Sequence, residues 1–164
     1  MKHSIVFPGQ GSQSLGMLSD LRSNFSVVNE VFQEASDAIN LDLWRIINED
    51  QDLLNLTENT QPIMLAAGYA TYKVLESEVN LMPMSIAGHS LGEYTALVAS
   101  GSLSLFDATQ LVRKRAELMQ AAVPSGSGSM AAILGLDDAK AVSYTHLRAH
   151  ETDSYLVCRL LLEK

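Results

Sequence analysis

Hydrophobic and polar positions along this chain follow two rhythms, and each change of rhythm marks an element. His3-Ser4-Ile5-Val6-Phe7 is short, apolar and β-branched, ends at Pro8-Gly9, and predicts a buried strand. From Phe25 to Ile39 the rhythm turns helical. Val28, Val31, Phe32, Ala35 and Ile39 share one face there, while Glu30, Gln33, Glu34 and Asp37 share the other. Leu41 to Ile47 predicts a short apolar helix that carries Trp44 into the core. Asn48 to Asn59 is polar and acidic and reads as a connection. Thr60 suits an N-cap with Pro62 in the first turn, so a helix is expected from Gln61 to about Glu76. That helix would bury Ile63, Ala66, Ala67, Ala70 and Val74.

Asn80 to Pro83 leads into a second apolar strand, Met84-Ser85-Ile86-Ala87, and a helix runs on through Thr95-Ala96-Leu97-Val98-Ala99. Another helix covers Leu105 to Val123. Pro124-Ser125-Gly126-Ser127-Gly128-Ser129 then reads as a hinge, Met130 to Leu136 as a new strand, and Asp137-Asp138 as the cap of a further helix. Strand, helices, strand, helix is an α/β order, with ligands expected just past the carboxyl ends of the strands. Gln10 and Ser90 both fall there.

Composition narrows this picture without redirecting it. The chain has 164 residues, 47% hydrophobic and 18% charged, which suits a globular domain with a real core. A formal net charge of −8 argues against a nucleic-acid surface. A single cysteine excludes a disulfide framework. The N-terminus offers one lysine and only Ile5-Val6-Phe7 before Pro8, neither a signal peptide nor a membrane span, so a cytoplasmic protein is expected.

The sharpest chemistry lies in Gly88-His89-Ser90-Leu91-Gly92. This is Gly-x-Ser-x-Gly between a predicted strand and a predicted helix, the context in which the pattern marks a nucleophile elbow. Glycines on either side let the chain turn sharply, and the helix N-terminus offers free N–H groups, that of Leu91 among them, to an oxyanion. His89 is a poor base for Ser90, because neighbouring side chains on a sharp turn point apart. In the loop Gly9-Gln10-Gly11-Ser12-Gln13 the spacing fits neither a P-loop nor Gly-x-Gly-x-x-Gly. Gln10 there either presents its amide to a developing oxyanion or is a solvated turn residue.

On the helix from Leu105, the residues Ala108, Leu111, Val112, Met119 and Ala122 form one apolar stripe with Arg115 in its middle. Arg113, Lys114 and Glu117 fall on the opposite, solvent side. An arginine on a buried face requires an anion or carbonyls around its guanidinium. Helix geometry alone leaves two readings, slightly favouring the first: a structural ion pair, or a pocket arginine that grips a substrate carboxylate.

Three stretches carry a family resemblance: Phe7-Pro8-Gly9-Gln10-Gly11-Ser12-Gln13, Gly88-His89-Ser90-Leu91-Gly92-Glu93-Tyr94, and the Arg115 helix followed by Met130-Ala131-Ala132-Ile133-Leu134-Gly135-Leu136. In order and spacing, residues 1–142 resemble the malonyl-CoA:acyl carrier protein transacylases of bacterial fatty acid synthesis. The resemblance implies an acyltransferase in which Ser90 takes a malonyl group from coenzyme A. Ser90 then gives it to the phosphopantetheine thiol of acyl carrier protein. It implies an oxyanion hole from Gln10 and the Leu91 N–H, and Arg115 as the holder of the malonyl carboxylate. It further implies no cofactor or metal, no nucleic-acid or membrane partner, and a monomer when full length.

On this resemblance residues 1–123 are the N-terminal part of an α/β acyltransferase domain with an incomplete parallel sheet. Residues 124–142 begin a small ferredoxin-like subdomain. The family's catalytic histidine lies in a half that this chain does not carry, so the chain by itself is expected to lack a positioned base. From Ser143 the text changes character and resembles translated sequencing adapter, so residues 143–164 are expected to be a non-native tail, with His146 and His150 no substitute for the base. Two other classes compete. A serine esterase on the same elbow would need Ser…Asp/Glu…His order and gives Arg115 no task. A non-catalytic fragment that binds acyl carrier protein would need no chemistry at Ser90.

Overall fold

The computed structural model describes residues 3–79 and 81–122. The hinge, strand and helix expected over 124–142, and the stretch 143–164, lie outside the described residues.

Two short strands form the sheet, β1 (Ser4–Phe7) and β2 (Ser85–Gly88). They pair in parallel, with Ser4 opposite Ser85 and Phe7 opposite Gly88. Parallel pairing puts both carboxyl ends at one edge, so the loop after β1 and the turn after β2 emerge side by side.

Seven helices complete the described fold: α1 (Ser19–Asn24), α2 (Ser26–Ile39), α3 (Leu43–Glu49), α4 (Gln51–Asn55), α5 (Thr57–Val79), α6 (Gly92–Ala99) and α7 (Leu105–Ala122). The main core lies among α2, α3, α5 and α7, centred on Val28, Leu43, Ile47, Ile63, Leu65 and Val112, all fully buried. A smaller cluster of Phe7, Tyr72 and Ala96 joins the sheet to α5 and α6. The five α5 residues expected in the core are all buried, and α2 buries Val28, Val31, Phe32 and Ala35 as its pattern predicts. Ile39 and Trp44 are only half-buried. Trp44 meets Phe32 edge-to-face at 5.0 Å and carries the Arg22 guanidinium over its ring at 4.2 Å.

Three expectations are corrected. The polar connection over 48–59 contains α4, because Asp50 accepts from the Leu53 N–H at 2.8 Å and Leu54 is fully buried. The long helix begins at Thr57, so Thr60 is no cap. It lies inside α5, fully buried, and its hydroxyl donates to the carbonyls of Leu54 and Leu56. Pro62 therefore falls in the helix interior, where it cannot donate to the Glu58 carbonyl. The Arg113 guanidinium from α7 donates to that carbonyl instead, at 3.2 Å.

The third correction concerns α7. Its buried residues are Leu105, Ala108, Thr109, Val112 and Ala116, so the stripe is rotated from the expected one. Small side chains at 108, 109 and 116 let α7 approach α5 and α2 closely, leaving Leu111 47% and Leu118 60% exposed. Arg115 and Arg113 consequently sit on the two borders of the buried face, both half-buried. Arg113 is not on the solvent side.

Candidate active site

The site grows out of the turn after β2. The His89 N–H donates to the Phe7 carbonyl at 3.0 Å, carrying the strand pairing one residue into the turn. Ser90 then adopts φ 52°, a left-handed conformation that costs an L-residue with a side chain about 1–3 kcal/mol. Leu91 returns to helical angles as the N-cap of α6. Its side chain is 1% exposed and anchors the turn in the core, while His89 and Ser90 on the preceding positions face outward.

Close backbone crossings require the two flanking glycines. A Cβ at Gly88 would stand 1.9 Å from the Gly92 carbonyl carbon, and one at Gly92 would stand 2.3 Å from the Phe7 oxygen. No side chain fits either place. This packing holds α6 against the end of β1 and leaves Ser90 strained at the junction. Among the described residues, the Ser90 and Leu91 N–H groups donate no hydrogen bond. They are open donors at a helix N-terminus, where a developing oxyanion is stabilised by both the N–H groups and the helix dipole.

Arg115 reaches this turn from α7. One of its terminal nitrogens, Nη2, donates to Ser90 Oγ at 3.0 Å, and Nη1 donates to Gln61 Oε1 at 2.7 Å. The Tyr94 ring lies 5.7 Å from its guanidinium carbon. No carboxylate among the described residues pairs with it. A half-buried cation beside a strained serine, with no carboxylate partner among the described residues, has the chemistry to bind an anion. An open apolar groove of about 390 Å³ adjoins it, lined by Leu111, Leu118, Met119 and Ala122.

Gln10 lies in the neighbouring loop. Gly9 stands against His89, close enough that a Cβ there would meet His89 Nδ1 at 3.0 Å. The Gln10 side chain is exposed and donates to Thr57 Oγ1 at 3.3 Å. The structure thus brings Ser90 and Arg115 into direct contact and sets the Gln10 loop beside their turn, with the Gln10 amide engaged by α5. His89 makes no hydrogen bond to Ser90. Among the described residues no cluster of His, Cys, Asp or Glu could hold a metal ion, and no helix is long and apolar enough to cross a membrane.

Sequence reasoning overlooked Gln61. The signal was available: Gln61 shares a helical face with Leu65 and Tyr72, both buried, so an uncharged polar group stood on a core-facing stripe. The misplaced start of α5 hid it, by making Gln61 the first residue of the helix, ahead of its expected core face.

A serine held at a left-handed turn between a parallel strand and a helix defines the nucleophile-elbow class of α/β proteins. Within that class, the family model described as acyl transferase domain matches residues 5–154, and the chain belongs to this family. Over 137 residues it is 49% identical to the malonyl CoA-acyl carrier protein transacylase of Escherichia coli, and over 139 residues 50% identical to that of Haemophilus influenzae. These alignments take in 83% and 84% of the chain but 44% and 45% of the relatives. The chain thus spans less than half the length of the curated relatives it matches.

Solved structures agree. FabD from Acinetobacter baumannii superposes with a TM-score of 0.82 at 53% identity, covering 87% of this chain and 45% of that one. A malonyl-transacylase in complex with its type II PKS acyl-carrier protein superposes with a TM-score of 0.85 at 44% identity, covering 92% and 49%. The family match includes part of the 143–164 stretch, whereas those two curated relatives align over 137 and 139 residues.

Proposed function

We propose that the whole protein transfers a malonyl group from coenzyme A to the phosphopantetheine thiol of acyl carrier protein through an ester on Ser90. One observation carries the reading: Arg115, with no carboxylate partner among the described residues, donates to the hydroxyl of a serine at a nucleophile elbow. A monoacyl esterase has no use for that cation. A malonyl thioester carries a free carboxylate close to the carbonyl under attack, which Arg115 can bind while Ser90 reacts. The names of the relatives support the same reaction.

In the first half-reaction Ser90 Oγ loses its proton to a base and attacks the thioester carbonyl. The C–S bond breaks, and the coenzyme A thiol leaves with a proton. In the second, the phosphopantetheine thiol attacks the Ser90 ester, the C–O bond breaks, and Oγ regains its proton. The tetrahedral oxyanion in each half is received by the Leu91 N–H and the Gln10 amide, which turns from Thr57 to reach it. The base that takes the Ser90 proton contributes roughly 10²–10⁴-fold. The base comes from outside the described residues, and by the family resemblance it is a histidine. The reaction needs no cofactor, and the protein acts in the cytoplasm as a monomer.

Intact-mass spectrometry of the whole protein with malonyl-CoA tests this. The expected result is one malonyl adduct, absent in Ser90→Ala. Equal labelling of the Ser90→Ala protein would place the nucleophile elsewhere. Labelling by acetyl-CoA as readily as by malonyl-CoA would favour the esterase reading.

A further inference from the structure

Gln61 is fully buried, and both ends of its carboxamide are engaged. Oε1 accepts from Arg115 Nη1 at 2.7 Å, and Nε2 approaches Met119 Sδ at 3.5 Å. The amide has one sensible orientation. Turned over, its N–H₂ would face the guanidinium, donor against donor, and its oxygen would face a sulfur that cannot donate. The oxygen toward the arginine is thus enforced by the chemistry of both neighbours.

The choice of an amide is informative. A glutamate here would reach the same nitrogen and pair with it as a salt bridge. Its charge would then neutralise Arg115 and compete with any incoming carboxylate. Glutamine holds the guanidinium by a charge-assisted hydrogen bond yet leaves the full positive charge available. The bond also fixes rotation about the end of a long side chain. With Nη1 tied to α5, the Nη2 side faces Ser90, where the 3.0 Å contact is seen. The Tyr94 ring on another side further limits the swing of the guanidinium.

We propose that Gln61 is a positioning residue that sets the plane of Arg115 toward Ser90 without quenching its charge, and so gives the site its preference for acyl groups ending in a carboxylate. The proposal rests on the function assigned above to Arg115. Its distinctive content is that Gln61 controls charge selectivity and not merely folding.

The experiment compares Gln61→Glu and Gln61→Leu with Arg115→Ala in the whole protein. Acylation of Ser90 is measured with malonyl-CoA and with acetyl-CoA, and arginine side-chain ¹⁵N spectra are recorded with and without added malonate. Loss of a charge-assisted hydrogen bond predicts a fall in kcat/KM for malonyl-CoA of roughly 10- to 100-fold in Gln61→Leu. Most of it should appear in KM, with a much smaller change for acetyl-CoA. Gln61→Glu keeps the size and the bond to Arg115 and gives up only the N–H contact to Met119, so it should fold and still lose the malonyl preference, because its carboxylate occupies Arg115. The Arg115 signals should be resolved in the parent, averaged in Gln61→Leu, and resolved but unresponsive to malonate in Gln61→Glu.

If both Gln61 variants lower malonyl and acetyl transfer equally, or Gln61→Glu keeps the parental ratio, Gln61 is structural and the proposal is overturned. Should Gln61→Leu fail to fold, Gln61→Glu decides alone. Arg115→Ala separates the two levels. If it leaves the malonyl-to-acetyl ratio unchanged, the function assigned to Arg115 fails first. If it abolishes the ratio while the Gln61 variants do not alter it, only the positioning role fails.

Discussion

Arg113 and Arg115 leave α7 on opposite borders of its buried face, and their surroundings differ in kind. Arg113 is enclosed by acceptors. It donates to the Glu58 carbonyl at 3.2 Å, to Asn59 Oδ1 at 2.9 Å and to Glu117 Oε1 at 3.1 Å, with the Glu58 carboxylate at 3.9 Å. Arg115 meets one neutral amide, one hydroxyl and one aromatic ring. The same residue type on the same helix is thus a closed structural tie on one side and an open cationic site on the other. What separates the two roles is the partners each guanidinium finds, and burial alone does not, since both side chains are half-buried. A cation whose charge is matched inside the fold holds elements together. One that meets only neutral partners keeps its charge for a ligand.

The largest expected effect comes from removing each arginine in turn. Arg115→Ala in the whole protein should weaken transition-state binding of malonyl-CoA by about 2–5 kcal/mol, the usual loss when one partner of a desolvated charge pair is truncated. Transfer from acetyl-CoA should fall far less or rise. Arg113→Ala should leave the ratio of the two substrates unchanged and lower the thermal midpoint instead. The comparison breaks if Arg113→Ala alters the ratio, or if Arg115→Ala lowers both activities in parallel with stability.

A smaller effect probes how Arg113 is used. Pro62 deprives the Glu58 carbonyl of its helical donor, and Arg113 serves as the replacement. Losing that donor from a partly buried acceptor should cost about 1–3 kcal/mol. In a Pro62→Ala background the helix supplies its own N–H, so Arg113→Ala should then cost less, with a coupling on the order of 0.5–1.5 kcal/mol. Denaturant unfolding of the four proteins measures it. Strict additivity would mean that Arg113 acts through Asn59 and Glu117 alone.

These details explain what could be read from the chain and what could not. The serine elbow was legible because all of it is local: five adjacent residues carry the two glycines, the serine and the open N–H of Leu91. The parallel pair followed from two short apolar strands with helices between them. The start of α5 was not legible, because the penalty of an interior proline is met by an arginine 51 positions later. That long-range contact overrides the local rule that sets proline in a first turn. Gln61 was lost with it. Helix α1 was missed for a different reason: it has six residues, buries none of them, and so leaves no periodic mark. On α7 the expected stripe ran through Leu111, Met119 and Ala122, whereas packing against the other helices buries Leu105, Thr109 and Ala116 beside Ala108 and Val112.

The smallest effect concerns pH, and it bears on the closed border only. The Arg113 guanidinium donates to Glu117, and this bond, with a further contribution from Lys114, holds the Glu117 carboxyl below its ordinary value. A carboxyl group whose folded pKa is lowered binds fewer protons folded than unfolded. Its stabilising contribution is therefore present above the unfolded value, roughly pH 4, and is lost as the pH falls through the lower folded value. Glu117 is only half-buried and its pairing is screened by solvent, so the contribution is small. Thermal midpoints of the parent and Glu117→Gln, followed from pH 6 to about pH 3 at low salt, should differ slightly at the upper end and converge at the lower. The malonyl-to-acetyl ratio of Glu117→Gln at neutral pH should match the parent, because Glu117 pairs on the border that faces away from Ser90. A gap between the two midpoints that widens on acidification would reverse the assigned direction. A changed ratio would mean that the two borders of α7 are coupled, and the division between tie and binding site would no longer hold.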